Sequence, residues 1–390
     1  LSDGATGAVS FVGEVEGIRV TKRFQVSADS YLFGLEVTAE AAPGTYTEMA
    51  IGWPKHLNGG AAPGHEKIFD SIVAIKGDKL QHVQWDQLDK VLEDDIRWLG
   101  YSGRYFLVAL VPPADAETLA RMALSRREQI LQAKLVLPPG ELKTHVDVYV
   151  GPKEIENLEA TGHSLRRAVD LGWFTFIALP LLQLIKWSNR LTGNYGVDII
   201  LLTVVIKILF IPLTQKSLQS MREMQKLQPQ MAKIRERYKD KPDEMNKEVM
   251  ELYRRHKVNP LGGCLPMVLQ IPVFIGLYNA LLNAVELRHA SFVGWINDLS
   301  APDRLGALQL PFVEPPGIPV LTLLMGVSMF VQQLMTPTTT ADPTQQRIML
   351  IMPVVFTFMF INFPSGLTLY WLVNNILTIA QQYVINRPER

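Results

Sequence analysis

One cysteine in 390 residues, Cys264, excludes an internal disulfide framework and any cysteine-rich metal site. To about Val150 the chain also lacks a nucleophile elbow, an HExxH pair, a phosphate loop and paired zinc-ligand spacing. His56, His65, His82 and His145 are scattered there and read as solvated or packed side chains. Charge of one sign is missing too, since 38 Lys and Arg balance 38 Asp and Glu. The distribution says more than the sum. Four apolar stretches, 265–285, 318–335, 348–363 and 366–384, contain no Lys, Arg, Asp or Glu at all. At Leu1 there is no Met, basic n-region or apolar h-region, so a truncated or processed chain is expected, with any targeting signal absent or in the later spans.

What is present is two-part: 48% hydrophobic and 19% charged residues, with mean hydropathy +0.11, average a polar first half and an apolar second half. The focal stretch is Gly196 to Thr214, nineteen nearly unbroken apolar residues with Lys207 near the middle. That is about the length needed to cross a bilayer's hydrocarbon core. Lys207 is nine residues from Asp198 and eight from Gln215, so its charge sits ~12–13 Å from either polar end. A central Lys costs about 2.5–3.5 kcal/mol on insertion scales, and such residues usually face a bundle interior or wet cavity. Snorkelling is the plainer alternative. Thr203, one turn earlier, shares the Lys207 face.

Before the spans, Tyr31, Phe33, Leu35 and Val37, then Tyr105, Leu107 and Ala109, then Val146, Val148 and Val150 alternate with a period of two. Gly and Pro clusters separate them, which predicts an antiparallel β-sandwich. Ala114 to Ala133 reads as a helical exception with a patchy apolar face. Trp53, Trp85 and Trp98 could line a cleft, though packing is the commoner use of such rings. Trp173 to Trp187 is short for a span and carries Gln183, Lys186 and Arg190 at helical spacing, so an interfacial helix with aromatic anchors is expected.

Lys216 to Lys257 holds twelve Lys or Arg against seven Asp or Glu. Leu218, Met221, Met224, Met231, Ile234 and Tyr238 recur at helical spacing, break near Asp240 to Asp243, and resume with Met245, Val249, Leu252 and His256. This predicts an antiparallel helical hairpin, with Pro242 in the first turn of the second helix. Five excess positive charges beside a span place the hairpin in the cytoplasm. With five spans, the β-domain then lies outside and the C-terminus, Arg387 to Arg390, inside.

In place of charge the later spans carry amides and hydroxyls, including Gln270, Asn279, Asn283, Gln332, Gln333, Asn362, Thr368, Tyr370, Asn374, Asn375, Gln381 and Gln382. Some serve as interhelical glue; their number could wet one side of a five-helix bundle around Lys207. Without an intramembrane carboxylate, proton-coupled transport lacks its relay.

Three separated motifs carry a family resemblance: Ile211 to Met231, Val258 to Leu281, and Phe363 to Gln382. In sequence and order they resemble the YidC/Oxa/Alb insertases, specifically the Gram-negative bacterial type with a periplasmic β-domain. The resemblance is close from Leu165 to Arg387 and looser before it, and the first transmembrane helix of that group is missing. It implies a periplasmic supersandwich-like β-domain (1–165), an interfacial helix (166–192), and a five-helix transmembrane core (193–390) with a cytoplasmic hairpin (216–257). A hydrophilic groove closed to the periplasm would be lined by Lys207, Thr203, Gln270, Asn279, Tyr370, Trp371 and Asn374. The hairpin would receive clients through Met221, Met224, Met231, Met245 and Arg254. Expected partners are nascent membrane proteins, the ribosome, the Sec translocon and the lipid bilayer, with no direct nucleic-acid readout, cofactor, metal or enzymatic step. Lys207 replaces an Arg typical of the bacterial group, keeping charge but losing the planar fork. The rivals are a secondary transporter, which would need an internal repeat and a coupling-ion site, and a membrane-anchored periplasmic chaperone.

Overall fold

The period-two stretches form strands. The computed structural model describes residues 4–40, 50–54, 71–76, 79–83, 91–92, 96–111, 121–127, 130–136, 143–239, 241–256, 258, 265–336 and 343–386. The chain divides into two compact units, Leu1–Asp170 and Leu171–Arg390.

In the first unit the strands are β1 (Thr6–Val15), β2 (Ile18–Ser27), β3 (Leu32–Glu40), β4 (Ala50–Pro54), β5 (Ser71–Lys76) and β6 (Lys79–Val83). They continue with β7 (Val91–Leu92), β8 (Ile96–Ser102), β9 (Phe106–Val111), β10 (Arg121–Arg127), β11 (Ile130–Val136) and β12 (Lys143–Pro152). An eight-stranded sheet runs β1-β2-β3-β12-β9-β8-β5-β6, and a four-stranded sheet runs β4-β11-β10-β7. Every described pairing is antiparallel. Central β9 is buried on both faces, from Leu107 to Val111. On one face Val73, Ile75, Trp98, Leu107, Ala109, Val111 and Tyr149 pack under Leu158 of α1 (Ile155–Ala160) and a following single turn bearing Leu165 and Ala168. Trp98 is wholly buried there, so it is a packing residue and lines no cleft.

The helix expected over Ala114 to Ala133 is corrected by two strands: β10 pairs with β11 from Arg121↔Val136 to Arg127↔Ile130. Met122 and Leu124, then Leu131, Ala133 and Leu135, alternate with a period of two. That short alternation wins over the helix-forming composition once a partner strand is available. Trp85, His56, His65, Cys264 and Asp240 lie outside the described residues. No group of metal-ligating side chains occurs among the described residues.

The second unit is helical: α2 (Thr175–Thr192), α3 (Tyr195–Arg237), α4 (Pro242–Arg255), α5 (Leu265–Asn283), α6 (Val320–Met335), α7 (Pro343–Phe360) and α8 (Ser365–Asn386). The apolar stretch and the first arm of the hairpin are one helix, α3, of 43 residues with Pro212 and Pro229 inside it. At ~1.5 Å per residue it is about twice as long as a hydrocarbon core is thick, so half of it extends beyond the apolar stretch. By length and composition α3 alone among the described helices is sufficient to cross a membrane; Val268–Asn283, Val320–Met335 and Arg347–Phe360 are shorter apolar helices. The perimeter is apolar, with Ile208 and Leu209 on α3, Val327 and Leu334 on α6 and Val355 and Phe358 on α7 exposed.

Helix α2 buries Ala178, Leu182, Ile185 and Ser188 and exposes Trp187, and Trp173 just before it is also exposed. The expected polar stripe is incomplete. Gln183 and Arg190 are exposed, but Lys186 turns inward to Glu286 at 2.6 Å, with side chains only 18% and 12% accessible.

Candidate functional site

Helix α3 is fixed at its start. The Asn194 side chain accepts from the backbone N–H groups of Gly196 (2.9 Å) and Val197 (3.2 Å), capping the orphan donors of the first turn. Asp198, fully buried in that turn, accepts from Asn189 Nδ2 at 2.8 Å and Thr192 Oγ1 at 2.7 Å, tying α3 to the end of α2. A carboxylate there also complements the helix dipole. Gly196 lies so close to the Phe292 ring that a Cβ would stand 2.1 Å from it. Sequence reading gave Asp198 no role beyond marking a polar end.

Further along α3, Lys207 Nζ donates to Thr378 Oγ1 of α8 at 2.6 Å, and no described carboxylate pairs with it. Thr378 in turn donates to the Asn374 carbonyl at 2.6 Å, and Gln270 Nε2 of α5 reaches Asn374 Oδ1 at 3.4 Å. Lys207, Thr378, Asn374 and Gln270 therefore form one polar path across α3, α8 and α5. Tyr370 is buried with its hydroxyl beside the Gln270 side chain, and both amide atoms of Gln381 are buried without a hydrogen-bond partner among the described residues. Thr378 was missed in the sequence, although Asn374, Thr378 and Gln381 follow helical spacing on α8 and could have disclosed it.

Other expected groove residues have different surroundings. Thr203 is buried with its hydroxyl donating to Ile199 O at 2.6 Å, so its polarity is spent on its own helix. Asn279 Nδ2 donates to Leu171 O at 3.1 Å and holds α5 to the segment before α2. Trp371 joins an aromatic cluster spanning α5, α7 and α8, with its ring centroid 4.8 Å from Phe274 and 5.0 Å from Phe360. Asn375 Nδ2 donates to Ser328 Oγ of α6 (3.0 Å) and Gln382 Nε2 to Thr336 Oγ1 at the C-cap of α6 (3.2 Å), linking α8 to α6.

The loop between α5 and α6 is bonded to the starts of α3, α6 and α8 at one end of the bundle. Asp303, buried, accepts from Leu321 N (2.7 Å) and Thr322 Oγ1 (3.0 Å), capping α6 from a distance. Its neighbour Arg304 donates to the carbonyls of Asp303, Glu314, Pro315 and Ile361 and to Asn362 Oδ1, all between 2.7 and 3.0 Å. Burial pushes its pKa down and Asp303 works against that shift. Ser365 N to Ala301 O (2.7 Å) and Gly366 N to Leu299 O (2.9 Å) fix the start of α8 to the same loop. Asn362, expected among the groove amides, is instead part of this clamp.

At the other end of α3, Met224, Leu227 and Met231 pack with Tyr253 and Val258, flanked by Val249 and Leu252. Tyr253 Oη donates to Met231 Sδ at 3.3 Å. Pro242 occupies the first turn of α4 with Lys241 as cap. Met221 and Met245 are half-buried outside that cluster, and Arg254 and His256 are exposed.

An apolar perimeter around a path of hydroxyls, amides and one ammonium, preceded by a β-domain, defines an integral membrane protein with a polar bundle interior. Comparison with known proteins narrows the class. Residues 187–390 match the family described as 60Kd inner membrane protein, and residues 2–184 match the YidC periplasmic domain. A membrane protein insertase YidC of Syntrophobacter fumaroxidans is 46% identical, covering 99% of this chain and 72% of that protein. One from Pelobacter propionicus is 51% identical over 95% of this chain and 70% of its own length. A solved active YidC insertase, 20% identical, aligns over 96% of this chain and 76% of that one with a TM-score of 0.46. The chain belongs to the YidC family of inner-membrane proteins.

Proposed function

We propose that this chain inserts nascent membrane proteins into the bacterial inner membrane and assists their folding, the activity for which its relatives are named. The supporting observation is Lys207, held on an apolar helix by Thr378 with no described carboxylate to neutralise it. An ammonium kept there despite its insertion cost is available to an incoming anion. The Gln381 amide, buried without a protein partner among the described residues, calls for water or for a client's backbone.

In this reading a client's short, often acidic, polar tail is drawn towards Lys207, Thr378, Asn374 and Gln270, which shortens the apolar distance it must cross. The adjoining hydrophobic segment then partitions into lipid, gaining about 25 cal/mol per Å² of apolar area removed from water. No bond is made or broken and no nucleotide is consumed. Thr203, Asn279 and Trp371 support the groove by fixing its walls. The Arg304 clamp closes the periplasmic end, and the basic hairpin, with Met221, Met224, Met231, Met245 and Arg254, receives clients from the ribosome or alongside the Sec translocon.

Helix α3 spans the membrane by its own length, and α5, α6, α7 and α8, packed with it in one apolar-faced bundle, cross beside it; α2 lies in the outer interface, the β-domain is periplasmic and the C-terminus cytoplasmic. The charge excess of the hairpin and the exposed Trp173 and Trp187 support this topology. The test is reconstitution. Liposomes containing the purified chain, without nucleotide, should protect the translocated tail of a single-span client from added protease; protection no greater than in empty liposomes would reject insertion. Deleting residues 1–150 should spare activity, whereas its loss would favour a chaperone anchored by the helices.

A further inference from the structure

The loop between α5 and α6 does more than bond to the helix starts at one end of the bundle. Leu305 and Ile318 exchange backbone hydrogen bonds at 2.9 Å, and Gly317 N donates to Leu308 O at 2.9 Å, so 305–318 is a short hairpin. Arg304 and Asn362 fasten it from beneath: Asn362 Oδ1 accepts from Arg304 and from Glu314 N (3.4 Å), while its Nδ2 donates to Phe312 O (3.3 Å). A loop bonded this thoroughly has little freedom to fold its side chains inward.

Its tip is nevertheless apolar and uncovered. Phe312 is 86% exposed and Leu308 55%. Phe312 also has a left-handed backbone, with φ of 64°, an uncommon conformation for a bulky side chain. From Leu305 to Gly317 the only charged residue is Glu314. A rigid, charge-poor hairpin with an outward phenylalanine is a poor design for water and a good one for the interfacial layer of a bilayer, where aromatic and aliphatic tips bury while backbone polar groups stay satisfied. Its position fits. The clamp bonds the hairpin to Ile361 and Asn362, between α7 and α8, next to helices whose perimeter is already apolar through Val355, Phe358 and Val327.

We propose that the Arg304-clamped hairpin inserts Leu308 and Phe312 into the periplasmic interfacial layer of the membrane that the bundle spans, fixing the depth at which the bundle sits. The occupant of this apolar tip is phospholipid rather than a protein partner. The proposal rests on the reading that the helices cross the bilayer, and the test separates the two.

Spin labels are attached at Leu308→Cys, Phe312→Cys, Glu314→Cys and, as a perimeter reference, Leu209→Cys, each in the full chain carrying Cys264→Ser. The proteins are reconstituted in phosphatidylethanolamine and phosphatidylglycerol vesicles. Collision with oxygen, which concentrates in lipid, is compared with collision with a water-soluble nickel chelate. The expected result is oxygen dominance at 308 and 312, as at 209, and nickel dominance at 314, with the 312 label shifting towards nickel when Arg304→Ala loosens the clamp. Nickel dominance at 308 and 312 with oxygen dominance at 209 overturns the membrane contact and leaves the insertase reading standing. Shielding of 308 and 312 from both reagents shows a protein cover, a second copy where spin–spin broadening grows with protein density, and also overturns it. Nickel dominance at 209 as well removes the spanning reading, and this inference with it.

Discussion

Removing the Asp198 carboxylate should destabilise the helical unit more than almost any other single polar change. Asp198 is completely buried and accepts two side-chain hydrogen bonds, from Asn189 at 2.8 Å and Thr192 at 2.7 Å, within the first turn of α3. Hydrogen bonds to a charged group contribute about 1.5–3 kcal/mol each, and a carboxylate at a helix N-terminus adds about 0.3–1 kcal/mol. Because the two bonds share one acceptor they will not add fully, so Asp198→Ala should cost about 3–5 kcal/mol. For a unit of this size that lowers Tm by roughly 10 °C. Asp198→Asn, which keeps an acceptor, should lose less than half as much. Thermal unfolding of the purified chain in detergent reads the effect, and a cycle with Asn189→Ala isolates the shared bond, expected to couple by at least ~1 kcal/mol. A Tm within about 2 °C of the native value, or additive single and double variants, would refute the idea that this carboxylate anchors α3 and hence the position of Lys207.

Other sites give independent checks. In the β-domain, Lys153 donates to Ser102 Oγ at 3.2 Å, and burial pushes its pKa down to about 8, Asp170 opposing the shift. The folded state then binds fewer protons than the unfolded state between about pH 8 and 10.5, so this group's penalty is full below pH 8 and is relieved as pH rises through that window. Urea unfolding of the full chain should show β-domain stability rising by up to ~3 kcal/mol across it, and Lys153→Met should flatten the rise; an unchanged slope would contradict the assignment. Arg304→Lys offers three donors to the five acceptors of the clamp, so amide exchange at Gly317 and Ile318 should speed up, while equal rates would mean that the loop holds itself. In the α3–α4 hairpin, Met231→Ala removes a buried contact and the Tyr253 acceptor, expected to cost about 2–4 kcal/mol locally and to expose the seam to limited proteolysis. Unaltered cleavage would show that the seam is held elsewhere.

Much of this was legible because it depends on period and length. Alternation at Leu35, Val37, Val146 and Val148 specified strands with one buried face, and the apolar run around Lys207 specified its helix. The Met and Leu stripe located the hairpin seam at Met224 and Met231. Illegible features were those in which a side chain chooses among partners distant in sequence. Lys186 looked like part of an interfacial stripe but pairs with Glu286, one hundred positions later. Asn279 and Asn362 looked like groove amides, yet nearby backbone carbonyls and Arg304 supplied better partners. The strands β10 and β11 were concealed because helix-favouring residues such as Ala, Leu, Arg and Gln also fit a short alternating strand when another strand lies beside it. Nothing in the spacing of Asp303 and Arg304 announced a cap and a clamp, because both depend on how the loop returns.

Lys207 carries the central claim, that an unneutralised charge in an apolar helix captures acidic translocated tails. At about 4 Å its attraction for a carboxylate is ~1 kcal/mol in water and several-fold greater in a partly dehydrated groove, enough to change insertion yield by tenfold or more. The direct measurement is insertion yield in liposomes for clients graded in tail charge, compared across Lys207, Lys207→Arg, Lys207→Gln and Lys207→Glu. Near-native yields with Arg, a loss with Gln confined to acidic tails, and the deepest loss for those tails with Glu are predicted. If Lys207→Gln lowers every client equally, or none, then Lys207 holds the bundle through Thr378 and electrostatic capture is not the mechanism.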